Sequence, residues 1–114
     1  MGLDVTVKEQ KEFICPHCGK RFSVMGDGIV DSIPSGGRQW YDYLKSIGYY
    51  TPYEERTAST PDWYGKDMDL EDDQARELAK WVSMTEGVYN SYDIESLIAR
   101  ALLHGNRVVI NADW

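Results

Sequence analysis

The sequence predicts an α+β domain with a small antiparallel or mixed sheet, about three helices, and an N-terminal hairpin around two cysteines. Apolar residues alternate with polar ones near the start of the chain and recur with a helical period in its middle. The pair Cys15 and Cys18 lies between two short segments of extended character. A length of 114 residues fits a single domain, 1–114, and no internal repeat or low-complexity linker divides it.

Strands are predicted at both ends of the chain and helices between them. Residues 1–35 form a strand and knuckle region, residues 36–105 a helical region, and residues 106–114 a C-terminal strand. The first strand is indicated by apolar residues that alternate with polar ones, namely Leu3, Val5 and Val7. Two further extended arms flank the cysteine turn, Phe13–Cys15 and Lys20–Met25.

Three helices are predicted from apolar residues spaced three and four apart. The first runs from Arg38 to Ile47. For the second, Asp69 is the expected N-cap and Gly87 the expected end, with carboxylates in the first turn that suit the helix dipole. The third has the most regular amphipathic pattern of the chain, and its expected cap is Ser91 or Asp93.

The net charge of −7 is unevenly distributed. Residues 1–48 hold six basic and six acidic side chains, whereas residues 49–114 hold six basic and thirteen acidic ones. Contact between the second half and a nucleic-acid backbone is electrostatically unfavourable, while attraction to a basic protein surface is favourable. This charge pattern predicts a protein partner with a basic surface.

The cysteine turn is the stretch whose residue types and spacing indicate a particular chemistry. Cys15 and Cys18 are the only cysteines, Pro16 lies between them, and Gly19 follows. Such a turn directs backbone N–H groups at the sulfurs, and the glycine can take the positive φ that closes it. The string CPHCGKRF resembles the first knuckle of a zinc ribbon, and this resemblance implies bound zinc held by two thiolates.

The second half of a zinc ribbon, another Cys-x-x-Cys, is absent from the sequence. The predicted metal ligands are therefore Cys15 and Cys18 together with His17 and His104, with two aspartates near the hairpin, Asp27 and Asp31, as further donors. A homodimer in which two protomers each lend a cysteine pair to one site of four thiolates is the alternative. Two reduced thiols without a metal is another interpretation.

Cys-Pro-His-Cys is also similar to the active-site tetrapeptide of thiol oxidases of the thioredoxin class. In that class the motif opens a helix whose N-terminus lowers the pKa of the first thiol. Here Gly19, Lys20 and Arg21 follow, and then a β-like segment, so this interpretation ranks below zinc. No nucleophile elbow, phosphate loop or isolated acid–base pair is present, and the chain is predicted not to be an enzyme.

Aromatic residues beside carboxylates predict a protein-contact surface in the acidic half of the chain. The loop and helix from Asp62 to Glu77 hold seven acidic residues against Lys66 and Arg76. The predicted partner-binding residues are two ring side chains and four carboxylates: Trp63, Tyr64, Asp67, Asp69, Asp72 and Asp73.

The opening MGLD, the early cysteine turn and the closing ALLHGNRVVINADW resemble small phage or prophage accessory proteins. This resemblance implies a single acidic, non-enzymatic domain, and some such proteins block host defence nucleases as anti-CRISPR proteins do. The chain has neither a signal peptide nor an apolar stretch of the roughly 20 residues that cross a bilayer, so no membrane partner and a cytoplasmic location, in the host if phage-encoded, are predicted.

The sequence thus favours a small acidic, zinc-stabilised protein-binding module that inhibits a host nucleic-acid-handling or defence protein. An alternative function is direct nucleic-acid binding through basic residues near the knuckle, namely Lys11, Lys20, Arg21 and Arg38. A CxxC thiol oxidoreductase is a further alternative, ranked below both.

Overall fold

The computed structural model describes residues 3–26, 28–33 and 37–114. Within these residues it contains five strands and three helices, in agreement with the predicted α+β class. In chain order the elements are β1 (Leu3–Ile14), β2 (Arg21–Met25), β3 (Ile29–Ile33), α1 (Arg38–Ser46), β4 (Met68–Leu70), α2 (Asp72–Met84), α3 (Ser91–Leu103) and β5 (Arg107–Asp113). A single 3-10 turn at Tyr53–Glu55 lies in the loop after α1.

β1 is the centre of the sheet, and every strand pair is antiparallel. β5 covers one edge of β1, and β4 lies beyond β5. The other edge of β1 is shared: β3 pairs with residues 3–7 and β2 pairs with residues 10–14. β2 and β3 therefore lie end to end along the same side of β1, one beside its second half and the other beside its first.

The hydrophobic core lies between one face of this sheet and the three helices. Alternate residues of β1 are buried on that face, and they are opposed by Val108, Ile110 and Ala112 of β5. The helices contribute their apolar stripes, with Trp40 and Leu44 from α1 fully buried. Burial of these stripes supplies the main favourable free energy of folding.

The second half of β1 extends past the core. Residues 11–14 are exposed on both faces, and β2 is exposed along its whole length. Together with the turn that holds both cysteines, these two segments form what we term the projecting hairpin, residues 11–25. Its base is fixed by the buried carboxylate of Glu9, which accepts a hydrogen bond from Asn106 Nδ2 at 2.7 Å and forms an ion pair with Arg100 Nε at 3.4 Å.

The start of the second helix differs from the sequence prediction. Asp69 lies in β4 instead of capping α2, and Glu71 is the N-cap, with its N–H donating to Gln74 Oε1 at 2.9 Å. The third helix is likewise capped by Asn90 and not by Ser91 or Asp93. Because β4 has only three residues and gains its hydrogen bonds from distant β5, local spacing gives no sign of it.

Two buried tyrosines of the core have opposite hydrogen-bonding environments. The Tyr49 hydroxyl accepts from Ala112 N–H at 2.8 Å and lies 2.7 Å from the Lys66 carbonyl oxygen, to which it donates. The Tyr43 hydroxyl is buried without a hydrogen-bond partner among the described residues. Burial, together with the charge of Glu77, raises the pKa of Tyr43 far above the ordinary tyrosine value.

We expect Tyr43→Phe to leave the free energy of unfolding unchanged or to raise it by up to about 1 kcal/mol, because it removes an unpaired buried hydroxyl. Tyr49→Phe, its matched control, should lower that free energy by about 1–3 kcal/mol, because it leaves the Ala112 N–H unsatisfied. Urea denaturation followed by circular dichroism measures both. Equal losses in the two variants would show that the Tyr43 hydroxyl does have a partner.

The raised pKa of Tyr43 also predicts that the parent chain and Tyr43→Phe differ in stability at alkaline pH. The folded state keeps Tyr43 protonated, so its contribution to stability is complete below the ordinary tyrosine pKa of about 10 and is lost as the pH rises above that value. The parent chain should therefore lose stability more steeply above this pH than Tyr43→Phe does.

Candidate metal centre and contact surfaces

The cysteine turn is closed by two backbone hydrogen bonds. Cys15 N–H donates to the Lys20 carbonyl at 2.8 Å, and Gly19 N–H donates to the Cys15 carbonyl at 2.9 Å. Gly19 has a φ of 69°, the left-handed value that a residue with a Cβ adopts only with strain. The turn connects β1 directly to β2, so no helix N-terminus acts on the thiols, in contrast to the thiol oxidases.

Both cysteines are free thiols at the surface, and they lie 3.4 Å apart at their closest approach. Hydrogen bonding from the backbone of Cys18 and His17, and then from the Cys18 side chain, favours a negatively charged sulfur and lowers the pKa of the Cys15 thiol. A thiolate is the form of cysteine that binds a soft or borderline metal ion.

The other predicted ligands are placed at different distances from this pair. His17 is exposed within the same turn. His104 is the exposed C-cap of α3 and lines a cleft at the base of the projecting hairpin. Among the described residues, no three His, Cys, Asp or Glu side chains converge on a metal-sized site. Asp27 lies outside the described residues.

Asp31 serves a different purpose from metal binding. It is fully buried on β3 opposite Val5, and one carboxylate oxygen accepts from Trp40 Nε1 at 2.7 Å. The other oxygen accepts from the N–H groups of Tyr89 and Asn90 at 3.0 and 3.2 Å. Cys15 lies ten residues along β1 from Val5, roughly 30 Å away at the rise of an extended strand. Asp31 therefore ties β3 to α1 and to the loop before α3, and it cannot reach the cysteines.

The predicted contact residues divide between two places. Tyr64 is half exposed and packs edge-on against Trp114, while Trp63 is partly buried and stacks on Tyr49. Gly65 N–H donates to the Ala112 carbonyl, so these rings lie beside the C-terminal end of β5. Asp72 and Asp73 lie beyond the opposite end of β4, more than about 13 Å away along the strand.

Asp67 is hydrogen-bonded within the chain, whereas Asp69 has one long contact with an arginine. Asp67 accepts from Asn111 Nδ2 at 2.8 Å and from Lys8 Nζ at 3.2 Å, and these contacts lower the pKa of its carboxyl group. Asp69 lies 4.0 Å from a guanidinium nitrogen of Arg107. Asp73 is almost fully exposed with only a neighbouring Arg76, so the free negative charge of this region lies at the start of α2.

That charge borders a polar cleft of about 630 Å³ between the projecting hairpin and the start of α2. Four carboxylates line it, together with the side chains of one arginine and one histidine: Glu12, Glu71, Asp72, Asp73, Arg107 and His104. The sequence shows these residues as separate groups, because the cleft exists only once β1 has extended past the end of β5. Glu9 was also missed, although the alternation that begins at Leu3 places a carboxylate on the inner face of β1.

Asp31→Asn should lower the free energy of unfolding by roughly 2–3 kcal/mol, because the amide nitrogen faces an N–H donor in either orientation, Trp40 Nε1 in one and the backbone of Tyr89 and Asn90 in the other. Asp4→Asn, an exposed aspartate on β1, is the matched control and should change stability by less than about 0.5 kcal/mol. Thermal and urea denaturation measure both. A small effect at Asp31 would mean that its buried hydrogen bonds are not formed in solution.

None of the described helices is both long and apolar enough to cross a bilayer. No protein-family model, curated protein or solved structure matches the chain.

Proposed function

We propose that this chain is a small acidic, zinc-stabilised module that acts by binding another protein in the cytoplasm and has no catalytic activity. The observation that carries the proposal is the polar cleft beside α2, where four carboxylates surround a concave space that a basic side chain or loop can enter. Asp72 and Asp73 are exposed there, so a cationic partner group can reach them.

The acidic cleft fits a partner protein that binds nucleic acid. Such proteins carry arginine and lysine surfaces that neutralise phosphates. An acidic domain that covers such a surface competes with the nucleic acid for the same cations. Inhibition of a host nuclease or defence protein by a phage-encoded domain is the form of this function that the resemblance of the two chain ends favours.

The cysteine turn is the proposed zinc site. Cys15 and Cys18 supply two thiolates, which is half of a tetrahedral site, and backbone donors already stabilise one of them. A bound metal would fix the tip of a hairpin that has no core of its own, since residues 11–25 bury little apolar surface. The remaining donors are His17 in the same turn, His104, or the cysteine pair of a second chain.

Zinc binding is tested by metal analysis of the chain purified without added zinc, together with its mass in solution. We expect zinc to co-purify and to be lost in Cys15→Ser/Cys18→Ser. One metal per chain assigns the site to a monomer, and His17→Gln and His104→Gln then identify the donors. One metal per two chains assigns it to a shared site of four thiolates in a homodimer. Absence of metal from the parent chain would refute the zinc proposal.

The acidic contact is tested with Asp72→Asn/Asp73→Asn and a labelled oligolysine peptide as the cationic probe. Loss of two exposed carboxylates should weaken binding about 2- to 30-fold, the effect of two surface ion pairs, and should reduce its salt dependence. The matched control, Glu54→Gln/Glu86→Gln, removes the same charge from exposed sites that do not line the cleft. Equal weakening in both variants would assign the binding to net charge and reject the cleft.

A further inference from the structure

One face of the projecting hairpin differs in composition from the rest of this acidic chain. Lys11 is directly opposite Val24, and Phe13 is directly opposite Phe22, so these four side chains share the face that continues from the core side of β1. Lys20 precedes β2 and continues the same alternation two residues before Phe22. We term this set of five residues the basic aromatic face.

Both phenylalanines of the chain lie on this face, and both are largely open to solvent. Phe13 and Phe22 are 45% and 52% exposed, and their rings stack at 5.4 Å with an interplanar angle of 22°. Cross-strand stacking stabilises a hairpin by itself. It does not explain why the two rings stand beyond the core, where half of their surface is left in water.

The charge on this face is positive. Lys11 and Lys20 lie on either side of the ring pair, whereas Glu12 points to the opposite face with Ile14 and Arg21. The nearest acidic residue on the same face is Glu9, and it is buried and paired with Arg100. In a chain of net charge −7, an exposed face with two lysines and no carboxylate favours an anionic occupant.

We propose that the basic aromatic face binds single-stranded nucleic acid. Two flat rings offer stacking surfaces for bases, and flanking ammonium groups attract the phosphates, which is the combination that binds single strands without sequence preference. The tip of the hairpin argues against insertion into an anionic membrane, because residues 16–20 (PHCGK) are exposed and include no large apolar side chain. This function is separate from the protein contact at the cleft, which lies near Glu12 on the other side of the hairpin.

The proposal is tested by fluorescence anisotropy with a labelled oligothymidine of about 12 nucleotides, within the range of known single-strand sites, at low salt. We expect binding with a dissociation constant of at most about 100 μM, the weak end of non-specific affinity. Phe13→Ala and Phe22→Ala should each weaken it between about 5- and 150-fold, the effect of one lost stacking contact. Phe22→Tyr retains the ring and should retain binding, and Ile14→Ala, on the opposite face, is the control for damage to the hairpin.

The electrostatic contribution is tested with Lys11→Gln/Lys20→Gln, which should reduce the slope of log K against log salt concentration by about 1.4 for two phosphate contacts. Lys66→Gln/Lys80→Gln makes the same change in net charge at exposed sites on other elements and should leave the slope unchanged. Absence of binding by the parent chain, or equal losses in the two lysine variants, would overturn the proposal. Binding to phosphatidylserine vesicles but not to the oligonucleotide would overturn it in favour of a membrane contact.

Discussion

The fold depends on one strand that is longer than the core it helps to build. Residues 3–9 of β1 alternate between buried and outward positions, and β1 contacts β3, β5 and α3. Residues 11–14 continue with the same hydrogen-bonding geometry but have only β2 beside them. Because strand pairing, and not burial, maintains this second half, its side chains remain available for contacts outside the chain. The exposed rings, the cysteine tip and the cleft at the base all follow from that single extension.

One of the two buried carboxylates among the described residues lies at the base of this extension. Glu9 marks the last buried position of β1, and Asn106 and Arg100 complete the hydrogen bonding of its carboxylate. Asp31 lies on the neighbouring strand β3, opposite Val5 near the start of β1. Its carboxylate accepts three hydrogen bonds from α1 and the loop before α3. A buried carboxylate without such partners would cost several kcal/mol. The two acids therefore constrain which loops can pack against the sheet and where β1 leaves the core.

Much of this fold could be predicted from local patterns, whereas pairing between distant segments could not. The alternation from Leu3 and the helical spacing after Arg38, Asp69 and Ser91 depend on neighbouring residues, and they were sufficient for α+β and three helices. β4 depends on β5, some forty residues away, and no local spacing encodes that pairing. The candidate site divides in the same way. The residues of the cysteine turn lie within five positions of the sequence, so the sequence alone indicates them. The cleft joins β1, α2 and the loop after α3, and only the tertiary structure brings these segments together.

The projecting hairpin separates the acidic cleft from the basic aromatic face, so the molecule presents surfaces of opposite charge within a short distance. Glu12 borders the acidic cleft, while Lys11, the preceding residue on the strand, points to the basic aromatic face, because successive side chains of a strand alternate. A cationic protein group and an anionic strand can therefore approach the same hairpin without competing for the same side chains. If the partner is itself a nucleic-acid-binding protein, the chain can compete for its cations with one face and contact its displaced strand with the other. The cysteine turn lies at the tip of the same hairpin, so a metal bound there would rigidify the two strand ends that carry Phe13 and Phe22.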